Sequence, residues 1–538
     1  MSEFFINDNV SEKQKVFLHR ILDLGLNFVS GDIRDHKVVK HMDIENLREK
    51  YLSGIPSNPS DLEDIFDELF YLSKNSIAQS DHNFLAFPDS AGSLATYAAD
   101  ILSSFLNQNL IAVDRSAPIA TFVEAQLISW LRNLIGYSEF SENKAKMLSE
   151  LGGMWTTGGN MSNHIAILTA LIYKFPEVLT SGLLKLKKRP VIILSKGIAH
   201  YSFLNAAKVL GLGSKGIIWA ETNDDYTTNI DSLLQILNDL PSDVEPFMVV
   251  AVAGNCRTSS IDDITNMAHI CKRNNIWFHV DACHGGSLLF SKNLVQKLSG
   301  IEQADSVTID PHKSLFVTYS SSYVLFKNPS VMNSFCRYEE QVNDSTIFDL
   351  GLITPFYGSR GFDSLKLWLL IKHMGKDKIG EYVEQRNMLY REIVNRLIST
   401  NLFVFFNPPE FYRSVFVFFP KIVKEYFDKN DIPNKQAISL IEKYTTTFSE
   451  ILYRRGNVVL DLFKLNDFGN EIGFGSSITY HVIGMSVGHA EMKSSEIDVI
   501  VKEILEVGNE TLSLMLKEIS YKGIEIKKVN LFAGPASW

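Results

Sequence analysis

Cysteine is scarce in this chain: Cys256, Cys271, Cys283 and Cys336 are the only four among 538 residues. They show neither the paired spacing of metal ligands nor the density of a disulfide scaffold, so reduced thiols and no metal centre are expected. No run of about 18 apolar residues is present, which argues against a membrane-spanning helix. An excess of positive charge is missing too. The 62 acidic residues outnumber the 52 basic ones, for a formal net charge of −10, and a general grip on nucleic acid phosphates has no source. Met1 to Arg20 contains no apolar run longer than three residues, hence neither a secretory core nor an Arg-rich transit pattern, and the cytoplasm is the expected compartment. There is no internal repeat and no low-complexity segment. A small molecule is the expected partner.

What is present is patterning that changes along the chain. At this length two or three domains are expected. Over residues 1–80, apolar residues recur at helical spacing, as in Phe17, Ile21, Leu24 and Phe28, and again in Leu62, Ile65, Phe66 and Leu69. This reads as a helical arm whose two stretches are joined by the Gly- and Pro-rich loop from Gly54 to Pro59. Such an arm needs a surface on which to bury its apolar faces, either the body of the protein or a second subunit.

Residues 81–365 carry the short apolar runs Val191 to Leu194, Phe247 to Ala253, Ile276 to Val280, Ser306 to Ile309 and Tyr323 to Phe326, alternating with helical stretches. Continuous Val/Ile/Phe runs of this kind belong to parallel strands covered by helices on both faces, so the fold class is α/β with a mostly parallel central sheet. In such sheets ligands gather at the carboxyl ends of the strands, where this sequence places His200, Asp281 and Lys313. Residues 366–538 read as a smaller α+β domain, with helices over Leu365 to His373, Ile379 to Ile398 and Ser494 to Lys517 around the apolar run Ser414 to Phe419.

Three segments carry chemistry. Thr156-Thr157-Gly158-Gly159-Asn160-Met161-Ser162-Asn163 is a Gly-rich turn opening a helix, able to offer main-chain N–H groups and a positive dipole end to a phosphate. Alone it is equally a plain turn capped by Ser162 or Asn160, and the absence of Gly-Lys-Ser/Thr excludes a P-loop. His279-Val280-Asp281-Ala282-Cys283-His284-Gly285-Gly286 and Asp310-Pro311-His312-Lys313 each follow a strand. A carboxylate able to pair with a protonated pyridine nitrogen, and an amine able to form a Schiff base with an aldehyde, are the two groups that pyridoxal-phosphate chemistry requires.

The ordered set His-Val-Asp-Ala-x-x-Gly-Gly, Ala304-Asp305-Ser306 and Asp-Pro-His-Lys resembles the group II pyridoxal-phosphate-dependent decarboxylases, which include the aromatic-amino-acid, histidine and glutamate decarboxylases. Leu85 to Ser90, Ala117-Pro118, Glu124, Ala199-His200, Ser359-Arg360 and Ser364 to Trp368 extend the resemblance over roughly residues 80 to 375. It implies a fold type I enzyme, a homodimer with the active site at the subunit interface, that converts an L-amino acid to its amine and carbon dioxide. Lys313 would carry the cofactor, Asp281 would pair with the ring nitrogen, and His200 would stack on the ring and take part in catalysis. Asn160, Met161, Ser162 and His312, with Cys283 and Asp310 beside them, would complete the cofactor site; Asp310 would repel a phosphate dianion unless His312 intervened. Asp89 and Arg360 fall where the substrate is met, Asp89 favouring a polar or cationic side chain or else closing a turn after Pro88. Tyr338, in the polar stretch from Asn333 to Asp349, is the expected proton donor to Cα on a mobile lid.

Some residues depart from the family pattern. Gly254-Asn255-Cys256 stands where Gly-Thr-Thr is common, Cys283 and His284 where Ala and an aromatic often follow Asp-Ala, and Ser314 where Trp often follows the lysine. These departures bear on the substrate. The alternatives to decarboxylation are another fold type I reaction (transamination, aldehyde-forming oxidative decarboxylation or carbon–carbon lysis) or a protein that keeps the fold without catalysis.

Overall fold

The five apolar runs of the middle region all become strands of one sheet. The computed structural model describes residues 5–6, 8–87, 89, 91–137, 151–335, 349–407, 411–476 and 478–521. The central sheet has seven strands, β1 (Gly153–Thr156), β2 (Arg189–Ser195), β3 (Ile217–Ala220), β4 (Val244–Val252), β5 (Trp277–Asp281), β6 (Ser306–Ile309) and β7 (Ser322–Phe326), in the order β1-β7-β6-β5-β4-β2-β3. Strands β3, β2, β4, β5 and β6 run parallel, β7 is antiparallel to β6, and β1 is antiparallel to β7. Every residue of β5, β6 and β7 is buried, as strands covered on both faces must be. The sequence pattern does not disclose β1 or β3, and in β3 the side chain of Trp219 is exposed.

The helix Leu365–Ser399 leads from this sheet to a second one. Gly375 inside it has non-helical angles (φ 71°, ψ 164°), so the two helices expected from the sequence meet at a kink. The second sheet, β8 (Phe403–Phe405), β9 (Arg413–Phe418), β10 (Asp461–Asn466) and β11 (Thr479–Ser486), is entirely antiparallel in the order β10-β11-β9-β8. Phe403 packs edge-on against Phe416, Phe418 and Phe448, joining this sheet to the helix Asn434–Arg455.

The N-terminal region forms three helices, Glu12–Ser30, Ile44–Tyr51 and Leu62–Asn75. The middle one, eight residues long, was not marked by apolar spacing. Arg20 joins the two longer helices through Glu63 and the face of Phe66. The arm is tied to the body by the buried Arg34 on Asp81 at 3.0 Å and by Lys37 on Asn457. Among the described residues no helix is long and apolar enough to cross a membrane, and no cluster of His, Cys, Asp or Glu is suited to a metal ion.

Candidate active site

The carboxyl ends of β2, β4, β5 and β6 converge on a narrow cleft whose walls include Gly159, His200, Asn255, Cys256, Asp281, Cys283, His284 and Lys313. Asp281 is the last residue of β5, and its carboxylate is held from two sides. The Cys283 amide donates to Oδ1 at 3.2 Å, and Asn163 Nδ2 donates to Oδ2 at 3.0 Å. The same Asn163 amide donates to Ser202 Oγ at 3.0 Å, and Ser202 Oγ lies 2.9 Å from Nδ1 of His200. His200 Nδ1 also accepts from the Ser202 amide, so His200 caps the helix Tyr201–Val209 and presents Nε2 away from that helix. Burial keeps the His200 imidazole below its ordinary pKa, against the pull of Asp281. One buried amide thus aligns both the carboxylate and the imidazole.

A second layer fixes Asn163 in turn. Its Oδ1 accepts from Thr308 Oγ1 at 2.8 Å, and His279 Nε2 lies 3.3 Å away. His279 is fully buried and its pKa is pushed down to about 4, so the network at the centre of the sheet is neutral.

Lys313 sits in a short helix, Pro311–Ser314, after β6, and its Nζ lies 2.9 Å from Asp310 Oδ2. Burial opposes the charge on Lys313, but the Asp310 carboxylate, with help from Cys283 and Asp281, outweighs it and lifts the amine well above the ordinary lysine range. Burial likewise opposes the charge on Asp310, yet Lys313, His312 and the Ser322 hydroxyl together hold it below the usual carboxylate range. Asp310 is therefore the counter-ion of Lys313 here. The same carboxylate lies against Gly159 of the Gly-rich turn, so its place beside that turn goes with its pairing to Lys313.

The remaining expected residues divide. Cys283 lines the cleft beside Asp281. Ser162 is buried with its hydroxyl held by Thr156 at 2.7 Å and Ser322 at 2.8 Å, while Asn160 is exposed and Met161 half-buried. What this turn offers an anion is its main-chain N–H groups, and not the Ser162 hydroxyl. The His312 ring packs 4.5 Å from that of Tyr319, whose hydroxyl donates to Asp89 at 2.5 Å. Burial raises the Asp89 carboxyl, and the charges of Lys313 and His312 reach it. Arg360 is placed away from the cleft walls: its guanidinium forms a two-pronged, nearly buried pair with Glu124, so its sequence-derived role at the substrate gives way to one in holding the helix Pro118–Ile135. Tyr338 lies outside the described residues. The sequence pattern assigns no role to Asn163 or Ser202; for Asn163 the available signal is an Asn in the first turns of an apolar helix, and the structure buries it.

The cleft fits pyridoxal phosphate. Gly159 lets the turn pack tightly beside the cleft, since an added Cβ would lie 2.5 Å from Cys283 Sγ and 2.6 Å from Asp310 Oδ2, and the cleft walls combine an amine, a fixed carboxylate and an imidazole. That combination defines a pyridoxal-phosphate enzyme of fold type I. The pyridoxal-dependent decarboxylase conserved domain matches residues 45–416, and the chain belongs to that family. It is 27% identical over 392 residues to an aromatic-L-amino-acid decarboxylase of Bacillus atrophaeus, covering 71% of this chain and 77% of that protein. Mouse CSAD in its apo form has the same fold, with a TM-score of 0.81 at 23% identity over 93% of this chain and 99% of that one. So does tryptophan decarboxylase of Catharanthus roseus in complex with L-tryptophan, with a TM-score of 0.76 at 19% identity over 94% and 100% of the two chains. The reaction is pyridoxal-phosphate-dependent decarboxylation of an amino acid.

Proposed function

We propose that Lys313 holds the cofactor covalently, that Asp281 keeps its ring nitrogen protonated, and that His200 covers its ring while an L-amino acid loses carbon dioxide to leave the amine. The observation that carries this reading is the Asn163 amide, which binds the carboxylate of Asp281 and, through Ser202, the imidazole of His200 around the cleft that Lys313 lines. Bound pyridoxal phosphate supplies the electron sink for the pair released at Cα. The protein's part is to orient. A fixed negative charge at Asp281 favours a cationic ring, and the neutral His200 gives a flat, apolar face. The main-chain N–H groups after Gly158 receive the phosphate. His312 and Cys283 flank the same site, and Tyr338 is proposed to return a proton to Cα.

The substrate side chain meets Asp89, whose hydrogen bond from Tyr319 places a carboxyl within the reach of Lys313's charge. A polar or cationic side chain suits it. Two further proposals concern context: the protein is a homodimer whose partner completes the cleft, and it works in the cytoplasm. The test is a panel of L-amino acids scored for amine and carbon dioxide. Borohydride reduction should abolish the visible band and leave the cofactor on Lys313, and Lys313→Ala should lack both band and turnover. A keto acid or aldehyde as the main product, or a tag on another lysine, would overturn the assignment.

A further inference from the structure

His284 is one of the residues in which this chain departs from its family, and it lines the cleft together with His200 and Lys313. It stands three residues beyond Asp281, and its main-chain carbonyl accepts from Ser314 Oγ at 2.8 Å, so its backbone is tied to the residue that follows Lys313. Its Nδ1 lies 2.6 Å from the hydroxyl of Tyr412, which comes from the segment entering β9. Burial holds the phenol of Tyr412 well above its ordinary pKa and the imidazole of His284 well below its own, so both are neutral. Tyr412 is then the donor and Nδ1 the acceptor. A neutral imidazole that accepts at Nδ1 carries its single proton on Nε2.

Behind Tyr412 stands Arg386, 1% exposed, with its guanidinium carbon 4.7 Å from the Tyr412 ring centre and 5.5 Å from that of Phe316. Among the described residues none of its three side-chain nitrogens has a hydrogen-bond partner. A buried guanidinium without a carboxylate is costly, and burial draws its pKa down to about 10. Its field falls on the Tyr412 ring, where it polarises the hydroxyl toward His284.

We propose that His284, holding its Nε2–H toward the cleft, binds the carboxylate of the incoming amino acid, with Tyr412 and Arg386 as the positioning residues behind it. This deepens the decarboxylase reading and rests on it. The carboxylate gives up its charge as carbon dioxide leaves, so a full cation in contact with it would stabilise the ground state more than the transition state. A neutral donor fixes the direction of the breaking bond without that penalty. The charge of Arg386 stays one residue back, behind an aromatic ring.

Two oxyamine probes test this on the holoenzyme without knowledge of the natural substrate. Aminooxyacetate and O-methylhydroxylamine capture the cofactor's aldehyde through the same nitrogen, but only the first carries a carboxylate. Loss of the visible band should show a preference for aminooxyacetate in the wild type. His284→Phe should reduce that preference by about 10- to 100-fold, the range for a hydrogen bond to a charged group, while O-methylhydroxylamine reacts as before. His284→Gln, which keeps an N–H donor, should retain part of it, and Tyr412→Phe and Arg386→Met should each lose part. Imidazole nitrogen spectra should show the Nε2–H form at His284 in the wild type and a mixture in Tyr412→Phe. An equal loss for both probes in His284→Phe would place His284 on the cofactor and overturn the proposal, as would an unchanged preference. A wild type that reacts with neither probe would overturn the pyridoxal reading itself.

Discussion

At the scale of single residues, the site is a set of charges whose neighbours decide their state. Asp281 is buried and accepts from one donor on each carboxylate oxygen, so Asp281→Asn removes the charge proposed to face the ring nitrogen and also turns an amide NH2 toward one of those donors. A charge pair at about 4 Å and an effective dielectric near 20 is worth roughly 4 kcal/mol, so turnover should fall by about two to three orders of magnitude. Cofactor retention should change far less, and dialysis followed by an absorbance spectrum separates the two effects. Asp310 makes the complementary case. It is the main group that holds the proton on Lys313, and without it the opposing effect of burial would meet only the weaker help of Cys283 and Asp281. In Asp310→Asn the pH midpoint for labelling Lys313 with pyridoxal and borohydride, in cofactor-free protein, should therefore move down. A midpoint that stays put would mean that Asp310 does not govern the lysine. Asp281 and Lys313 were legible in the sequence because each closes a recognisable motif after an apolar run. Asn163 and His284 were not, because their partners Asp281 and Tyr412 are 118 and 128 residues away, and no local pattern announces such a pairing.

At the scale of elements, legibility was uneven. Strands β2, β4, β5, β6 and β7 coincide with the apolar runs read from the sequence, whereas β1 and β3 do not, and length alone does not separate them, since β6 also has four residues. The helix Leu365–Ser399 shows what sequence spacing cannot display, the closeness of its approach to a neighbour. Gly380 lies on that helix against the main chain of Phe290 and Ser291, and an added Cβ would meet the Phe290 carbonyl well inside contact distance. Backbone cannot give way as a flexible side chain can. Gly380→Ala should destabilise the protein by about 1–3 kcal/mol, read as a lower denaturant midpoint. Because the same helix carries Arg386, the variant should also weaken the support behind Tyr412. A midpoint equal to that of the wild type would show that the helix can shift at no cost.

For the whole molecule, the surface argues for a second copy. Leu94, Phe105, Ile119 and Phe122, on the helices Leu94–Leu106 and Pro118–Ile135, are 79%, 59%, 76% and 57% exposed in the single chain. Scattered exposed apolar residues are ordinary, but repeated exposure along one helix, as at Leu94 and Phe105 or at Ile119 and Phe122, is the pattern expected of an interaction surface. The N-terminal arm adds Val16, Leu26 and Val29, also exposed on a helix that has only two buried residues. In a twofold dimer a single substitution acts at two places in the interface, so a buried charge there weighs double. Ile119→Asp and Phe122→Asp should each cost about 3 kcal/mol or more per copy once dimerised, enough to raise the dissociation constant more than 100-fold. Both side chains face solvent in the isolated chain, so the variants should fold, with secondary structure and resistance to proteolysis like the wild type. They should sediment as monomers with little activity, because the partner is proposed to complete the cleft. Mixing either variant with an excess of Lys313→Ala protein gives the sharper test. If the partner's surface alone restores the cleft, activity should return as heterodimers form. A wild-type protein that sediments as a monomer and turns over at full rate would instead mean that one chain holds the whole site, and that the exposed apolar helices serve some other contact.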